Sequence, residues 1–165
     1  MIEAKAEIEI DATPEKIWRY MVRLDDWWLR SNPNEHIELT LIDNSKIEEG
    51  TKFVLKEYIA GVRGEAIAEI SQIIPLERLA WKSIQATYKL FGITFQVDEG
   101  GVFELKCSGN KCLLSHHVWG KTKLPFIGAL AEMFFKYILK GEKKDYEHTY
   151  RELKFIKNEI ETQNA

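Results

Sequence analysis

His148 and Glu152 are the pair of side chains in this 165-residue chain most plainly suited to chemistry. Four residues apart on a helix, an imidazole and a carboxylate lie on one face and can reach one ligand or one metal ion. Such pairs also occur on solvated helix faces, so the spacing leaves both uses open. His116 and His117 are neighbours in an alternating stretch, and neighbours in a strand point to opposite faces. Counting Cys112, Leu114, His116 and Val118 along one face puts His116 inside, with His117 beside Ser115 and Trp119. His116 is then either a satisfied core residue or a polar contact for a ligand, and a candidate catalytic acid or base. Cys107 and Cys112 flank the turn Ser108-Gly109-Asn110-Lys111, which sets them opposite each other in a two-residue hairpin. That geometry permits a disulfide, although two buried thiols in a reducing cytoplasm are the expectation. The pair is too small for a zinc site of its own. The sequence has no Gly-rich phosphate loop and no Gly-x-Ser-x-Gly elbow, and nothing beside either cysteine supports nucleophilic catalysis.

The element that must position His148 and Glu152 is the last third of the chain. Leu124 to about Glu161 reads as one long helix, opened by Pro125 in a first-turn position. At about 100° per residue, Phe126, Ile127, Leu130, Met133, Phe134, Tyr137 and Gly141 share a face broad enough to cover a core or a cavity. Past Gly141 that face carries Asp145, His148, Glu152 and Phe155, while Tyr146, Tyr150, Leu153 and Ile160 gather on another side. Either the helix leaves for solvent there, with its second stripe packed on another helix or forming an interaction surface, or it lines the polar end of a cavity.

Ahead of this helix the chain reads as a sheet. Ala4 to Asp11 alternates, with Ala6, Ile8 and Ile10 on one side and Lys5, Glu7 and Glu9 on the other. Thr13-Pro14 caps and opens a short helix through Leu24, and Asp25 to Leu29 forms a second turn ended by Ser31-Asn32-Pro33-Asn34. Trp27-Trp28 either anchors these helices in the core or rims a pocket. Strands follow at His36 to Asp43, Thr51 to Ala60, Glu65 to Ile74, Arg78 to Gln85, Val102 to Cys107 and Lys111 to Lys121. Their short connections imply antiparallel neighbours. Ala86 to Val97 has no clean period and reads equally as continued strand or as an apolar flap.

Length fits a single domain over residues 1–161 with a frayed tail at 162–165. With 45% hydrophobic and 30% charged residues, the composition is that of an ordinary globular protein. A net charge of −3 with interspersed signs gives no footprint for nucleic acid or an anionic membrane surface. No apolar run approaches a membrane span, and the strand beginning near Met1 leaves no room for a cleaved signal, so a cytoplasmic monomer or homodimer is expected.

This order, with Ile8-Glu9-Ile10-Asp11-Ala12-Thr13-Pro14-Glu15-Lys16-Ile17-Trp18 near the start and Ile74-Pro75-Leu76-Glu77-Arg78-Leu79-Ala80-Trp81 in the middle, resembles the START-like helix-grip superfamily. That superfamily includes polyketide cyclases, lipid-transfer domains and pollen allergens. The resemblance spans nearly the whole chain. It implies an α+β helix-grip fold: a curved antiparallel sheet of about seven strands wrapped on a long C-terminal helix, with two short helices after strand 1. It also implies a cavity between sheet and helix for a hydrophobic or aromatic small molecule. Phe126, Leu130, Met133, Phe134, Tyr137 and Gly141 would line it from the helix, and Trp81, Phe103 and Leu114 from the sheet. The residues by themselves are equally suited to solid packing.

One branch gives a narrower comparison. The phloretin and diacetylphloroglucinol hydrolases are similar in placing a His shortly after a proline ahead of the second strand, a Glu on the sheet, and His-x-x-x-Glu on the last helix. Those enzymes hold zinc with them for hydrolytic carbon–carbon cleavage of acylphenols. Here Pro33-Asn34-Glu35-His36, Glu57 in Lys56-Glu57-Tyr58, and His148-Thr149-Tyr150-Arg151-Glu152 correspond, so the resemblance implies His36, Glu57, His148 and Glu152 as zinc ligands. Glu65 and Glu69 are rival choices to Glu57. The branch tends to carry a second His before the proline, where this chain has Asn32, and this chain is shorter.

Overall fold

The computed structural model describes residues 1–42, 46–90, 92–123, 130 and 132–162. The alternating start becomes β1 (Ile2–Asp11), whose Ala4, Ala6 and Ile10 face the core. Thr13 Oγ1 accepts a hydrogen bond from Lys16 N, and Pro14 opens α1 (Pro14–Met21). α2 (Leu24–Ser31) buries Leu24, Trp27 and Trp28. Trp27 satisfies its indole by donating Nε1–H to the Met21 carbonyl at 3.0 Å, and its ring meets Phe103 edge-on.

Six further strands run as a meander: β2 (His36–Leu41), β3 (Lys52–Ile59), β4 (Val62–Ile74), β5 (Arg78–Leu90), β6 (Ile93–Ser108) and β7 (Lys111–Thr122). The seven-stranded sheet has the order β1-β7-β6-β5-β4-β3-β2, and every pairing is antiparallel. Two helices carry the chain from one edge strand to the other, so β1 pairs with β7. The Ala86 to Val97 stretch is a hairpin: β5 runs on to Leu90 and β6 begins at Ile93, with Gly92 at φ 80° in the turn. The turn interrupts the alternation, which is why no clean period is legible there.

The last helix departs from the continuous one the periodicity predicts. A π-helical segment at Phe134–Ile138 ends in a hydrogen bond from Leu139 N to the Phe134 carbonyl at 3.2 Å. Lys140 then adopts φ 53°, and α3 (Gly141–Thr162) starts on a new course. Gly141 is required there, because a Cβ would overlap the Phe135 ring. Pro125, Phe126 and Ile127 lie outside the described residues, as does the end of the tail from residue 163.

α3 packs chiefly on β1 and then on β7. Leu153, Ile156 and Ile160 are fully buried there. Leu153 and Ile160 therefore belong to the protein's own core, not to a free interaction stripe. Tyr146 and Tyr150 remain exposed and stack on each other at 6.1 Å.

Cys107 and Cys112 form a cross-strand disulfide rather than the pair of thiols expected. The hairpin register sets them directly opposite, with Cα atoms 4.0 Å apart; Cys112 is buried and Cys107 exposed.

Truncating Leu153 to Ala should cost about 2–5 kcal/mol in urea unfolding, because it opens a cavity under α3. Leu130→Ala, at an exposed position, should change stability by less than about 0.5 kcal/mol.

Candidate functional site

A cavity of about 150 Å³ lies between the sheet and α3. Phe53, Trp81, Phe95, Phe103 and Trp119 supply aromatic wall, with Leu39, Leu55 and Val97 among the aliphatic groups. One end is different, for Glu57, His116, His148 and Glu152 line it and His36 stands directly behind.

Four separate elements supply them. His36 begins β2 next to a register shift, paired with Glu57 on β3. His116 faces inward on β7 while His117 is half-exposed beside Glu3, as strand alternation requires. Glu57 is buried, whereas Glu65 and Glu69 lie on the outer side, paired with Arg63 and Lys82. His148 and Glu152 lie on the inward stripe of α3 with Asp145 and Thr149; Glu152 is 2% exposed. The polar turns of the helix thus line the cavity instead of leaving for solvent.

His36 stacks on Trp28, ring centroids 3.4 Å apart, and donates Nδ1–H to the Trp28 carbonyl at 2.6 Å. His148 donates Nδ1–H to Glu35 Oε2, also at 2.6 Å. Both rings therefore turn Nε2 inward, and these two nitrogens are 2.9 Å apart. Glu57 Oε2 lies 3.8 Å from His36 Nε2 and 3.5 Å from His148 Nε2. Glu152 Oε1 lies 3.4 and 3.7 Å from the same atoms. Glu152 Oε2 accepts Nδ1–H of His116 at 2.9 Å, and His116 Nε2 has no partner among the described residues. Gly101 makes room for it, since a Cβ there would overlap Trp81 Nε1 and sit 3.1 Å from His116 Nε2.

Two imidazole lone pairs at 2.9 Å repel unless something positive lies between them. A proton is the simplest answer. Burial depresses His148, but the Glu35 hydrogen bond and the charges of Glu152 and Glu57 outweigh it and hold the group up at about 9. Burial, opposed by Glu152, lowers His36. The charged His148 thus donates Nε2–H to neutral His36. A divalent metal is the other answer: His36, Glu57 and His148 offer ligand atoms that all lie within 4.8 Å of one another. The outward hydrogen bonds to Glu35 and to a backbone carbonyl are the usual support for metal-binding imidazoles.

The carboxyls feel the same enclosure. Burial raises Glu57 to about 8, with the charges of Glu99, Glu152 and Asp145 adding to it. Burial would raise Glu152 too, yet the hydrogen bond from His116 and the charge of His148 hold it well below the usual carboxylate range.

Sequence reasoning missed several contributors. Glu35 and Trp28, which fix the imidazoles, are visible only once α2, β2 and α3 meet. Asn32 occupies the place of the second His and instead donates Nδ2–H to the His148 carbonyl while accepting from Arg151 Nε. Glu99 and Tyr88 belong to no motif, yet both are on the cavity wall. Trp81 and Phe103 line it; Leu114 is fully buried in the core and Phe134 is half-buried. Leu130 and Tyr137, 63% and 67% exposed, and Met133, also exposed, turn away from the cavity because the break at Lys140 changes the helix direction. Phe135 lines it in their place. Gly141 is buried against Phe135.

No model of a protein family matches the chain, and no curated protein sequence does. Solved structures do. A protein from Thermus thermophilus is 16% identical with a TM-score of 0.71, covering 99% of each chain. A START superfamily protein from Mycobacterium smegmatis is 17% identical with a TM-score of 0.66, again over 99% of each. The major latex-like protein 151 of Panax ginseng is 11% identical with a TM-score of 0.65, over 97% of this chain and 99% of that one. This chain has the START-like helix-grip fold. At such identities the likeness speaks for the fold alone. Among the described residues no helix of this helix-grip chain is long and apolar enough to cross a membrane.

Above about pH 7.5 the shifted groups of the site act in one direction. Glu57 (about 8), Glu99 (about 7) and His148 (about 9) are all raised, so the folded chain holds protons that the unfolded chain has released. Stability from raised groups is present at low pH and lost as pH rises through their folded values. Among the lowered groups, Glu35 and Glu152 have finished contributing by about pH 6.5, and His36 finishes by about pH 7.5, once the unfolded imidazole has lost its proton. Chelator-treated protein should therefore lose about 2–4 kcal/mol between pH 6.5 and 9 in urea unfolding. Glu99→Gln should flatten that slope.

Proposed function

We propose that this chain binds a hydrophobic or aromatic small molecule in the cavity and acts on it as a metal-dependent hydrolase, the substrate being a carbonyl compound of acylphenol or polyketide-like type. The observation that carries the reading is the facing pair of imidazole nitrogens 2.9 Å apart, each with its other nitrogen already donating. A carrier for a wholly apolar ligand has no use for His36, Glu57, Glu99, Asp145, His148 and Glu152 buried together.

The donor set fits zinc, with two neutral imidazoles, two carboxylates and outer hydrogen bonds that fix the rings. His36 and His148 would hold the ion through Nε2, with Glu57 and Glu152 supplying oxygens. Zinc bound there supplies Lewis acidity and a water of lowered pKa. The remaining chemistry belongs to the chain. The aromatic walls seat the apolar part of the substrate and exclude bulk water. His116, its Nδ1–H engaged by Glu152 and its Nε2 without a partner among the described residues, is the group able to take up a proton and return it during hydrolysis.

Elemental analysis of tag-free protein tests the metal. Zinc near one per chain in the wild type, lost in His148→Ala, supports the hydrolase reading and directs substrate screening to acylated phenols. A wild type still empty after zinc is supplied and dialysed would remove the metal and leave a binding protein, to be tested with apolar ligands. Glu35→Gln should weaken zinc by about 10–100-fold in chelator competition, because it loosens the His148 ring without removing a ligand.

A further inference from the structure

The cavity is rich in acids and poor in bases. Its described lining includes Glu57, Glu99, Glu132, Asp145 and Glu152, but no arginine and a single lysine, Lys121, which is exposed. Glu132 is already held by the N-terminal ammonium and by Thr122. Glu57 and Glu152 face the two imidazoles. Glu99 and Asp145 remain; the charged His148 partly offsets Asp145, but that imidazolium is already shared by Glu35, Glu57 and Glu152.

Both are enclosed. Glu99 Oε2 accepts the Tyr88 hydroxyl at 2.7 Å, and its backbone N–H goes to Ser83 Oγ. Asp145 is 8% exposed and lines the cavity, yet its carboxyl has no hydrogen bond or ion pair among the described residues; only its backbone carbonyl is used, by Thr149. An unpaired buried carboxyl is costly. Burial, with Asp145 nearby, pushes Glu99 up to about 7, and burial pushes Asp145 up to about 6. The two carboxyls disfavour each other's charge across the same space, which a positive group between them would reverse. Tyr88, Trp81, Phe95 and Trp119 line the same cavity, and aromatic rings can attract a cation and tolerate its apolar substituents.

We propose that the cavity selects small aromatic molecules bearing a protonated amine, received by the Asp145 carboxyl and by Glu99 on its Tyr88 support. Anionic ligands such as fatty acids or phosphates are disfavoured, since no interior lysine or arginine among the described lining would meet them. The proposal rests on the small-molecule reading of the cavity and is independent of the metal.

Three probes of nearly one shape decide it: phenethylamine, 2-phenylethanol and phenylacetate, titrated calorimetrically into the full chain after chelation at about pH 7.5, where the amine is charged. Phenethylamine should bind about tenfold or more tightly than 2-phenylethanol, and phenylacetate more weakly than either. Asp145→Asn and Glu99→Gln should each erase most of that preference while changing the alcohol's affinity by less than about twofold. Should a variant fail to fold, the wild-type series still decides. Equal binding of amine and alcohol, or a preference for phenylacetate, overturns amine selection and leaves the cavity reading standing. No binding of any of the three by folded protein overturns both.

Discussion

Two imidazole nitrogens 2.9 Å apart, each ring anchored by its other N–H, constrain everything else in this molecule. Neither ring can turn away without abandoning a buried donor, and unmet buried donors are expensive. The pair therefore demands a shared positive charge. Glu152 stands where its carboxylate stabilises that charge, and His116 in turn stabilises Glu152. A proton meets the demand at neutral pH, and under the proposed reading a divalent cation would take its place on the same lone pairs.

That centre requires separate elements to meet. α2 brings the Trp28 carbonyl and the ring that stacks on His36; β2 and β3 bring His36 and Glu57 through a paired register; β7 brings His116; α3 brings His148 and Glu152. The apolar half of α3, Leu153 to Ile160, fixes the helix on β1 and so sets the depth of its polar half. Packing energy in one half of the helix holds ionisable groups inside in the other.

The break at Lys140 has a related effect. With Gly141 pressed on Phe135, the segment before it runs in another direction and exposes Leu130, Met133 and Tyr137. Phe135, rather than those residues, closes that side of the cavity. The result is a pocket with aromatic walls and a carboxylate-rich interior, a combination that favours hydrogen-bond donors and cations over anions.

Alternation and turn chemistry determined much of this protein from sequence alone. Period-two patterns with tight turns give an antiparallel meander whatever the partners are, and the inward placement of His116 over His117 follows from strand geometry. The four-residue spacing of His148 and Glu152 fixed that they share a helix face. Only tertiary structure decided that the face is buried, because periodicity says which residues lie together and not what covers them. The same limit hid the roles of Glu35, Trp28, Glu99 and Asp145, which depend on how separate elements close around the cavity. It also hid the break at Lys140, since the hydrophobic period runs through Gly141 uninterrupted and only the Phe135 ring, pressed where a Cβ would stand, makes glycine necessary there.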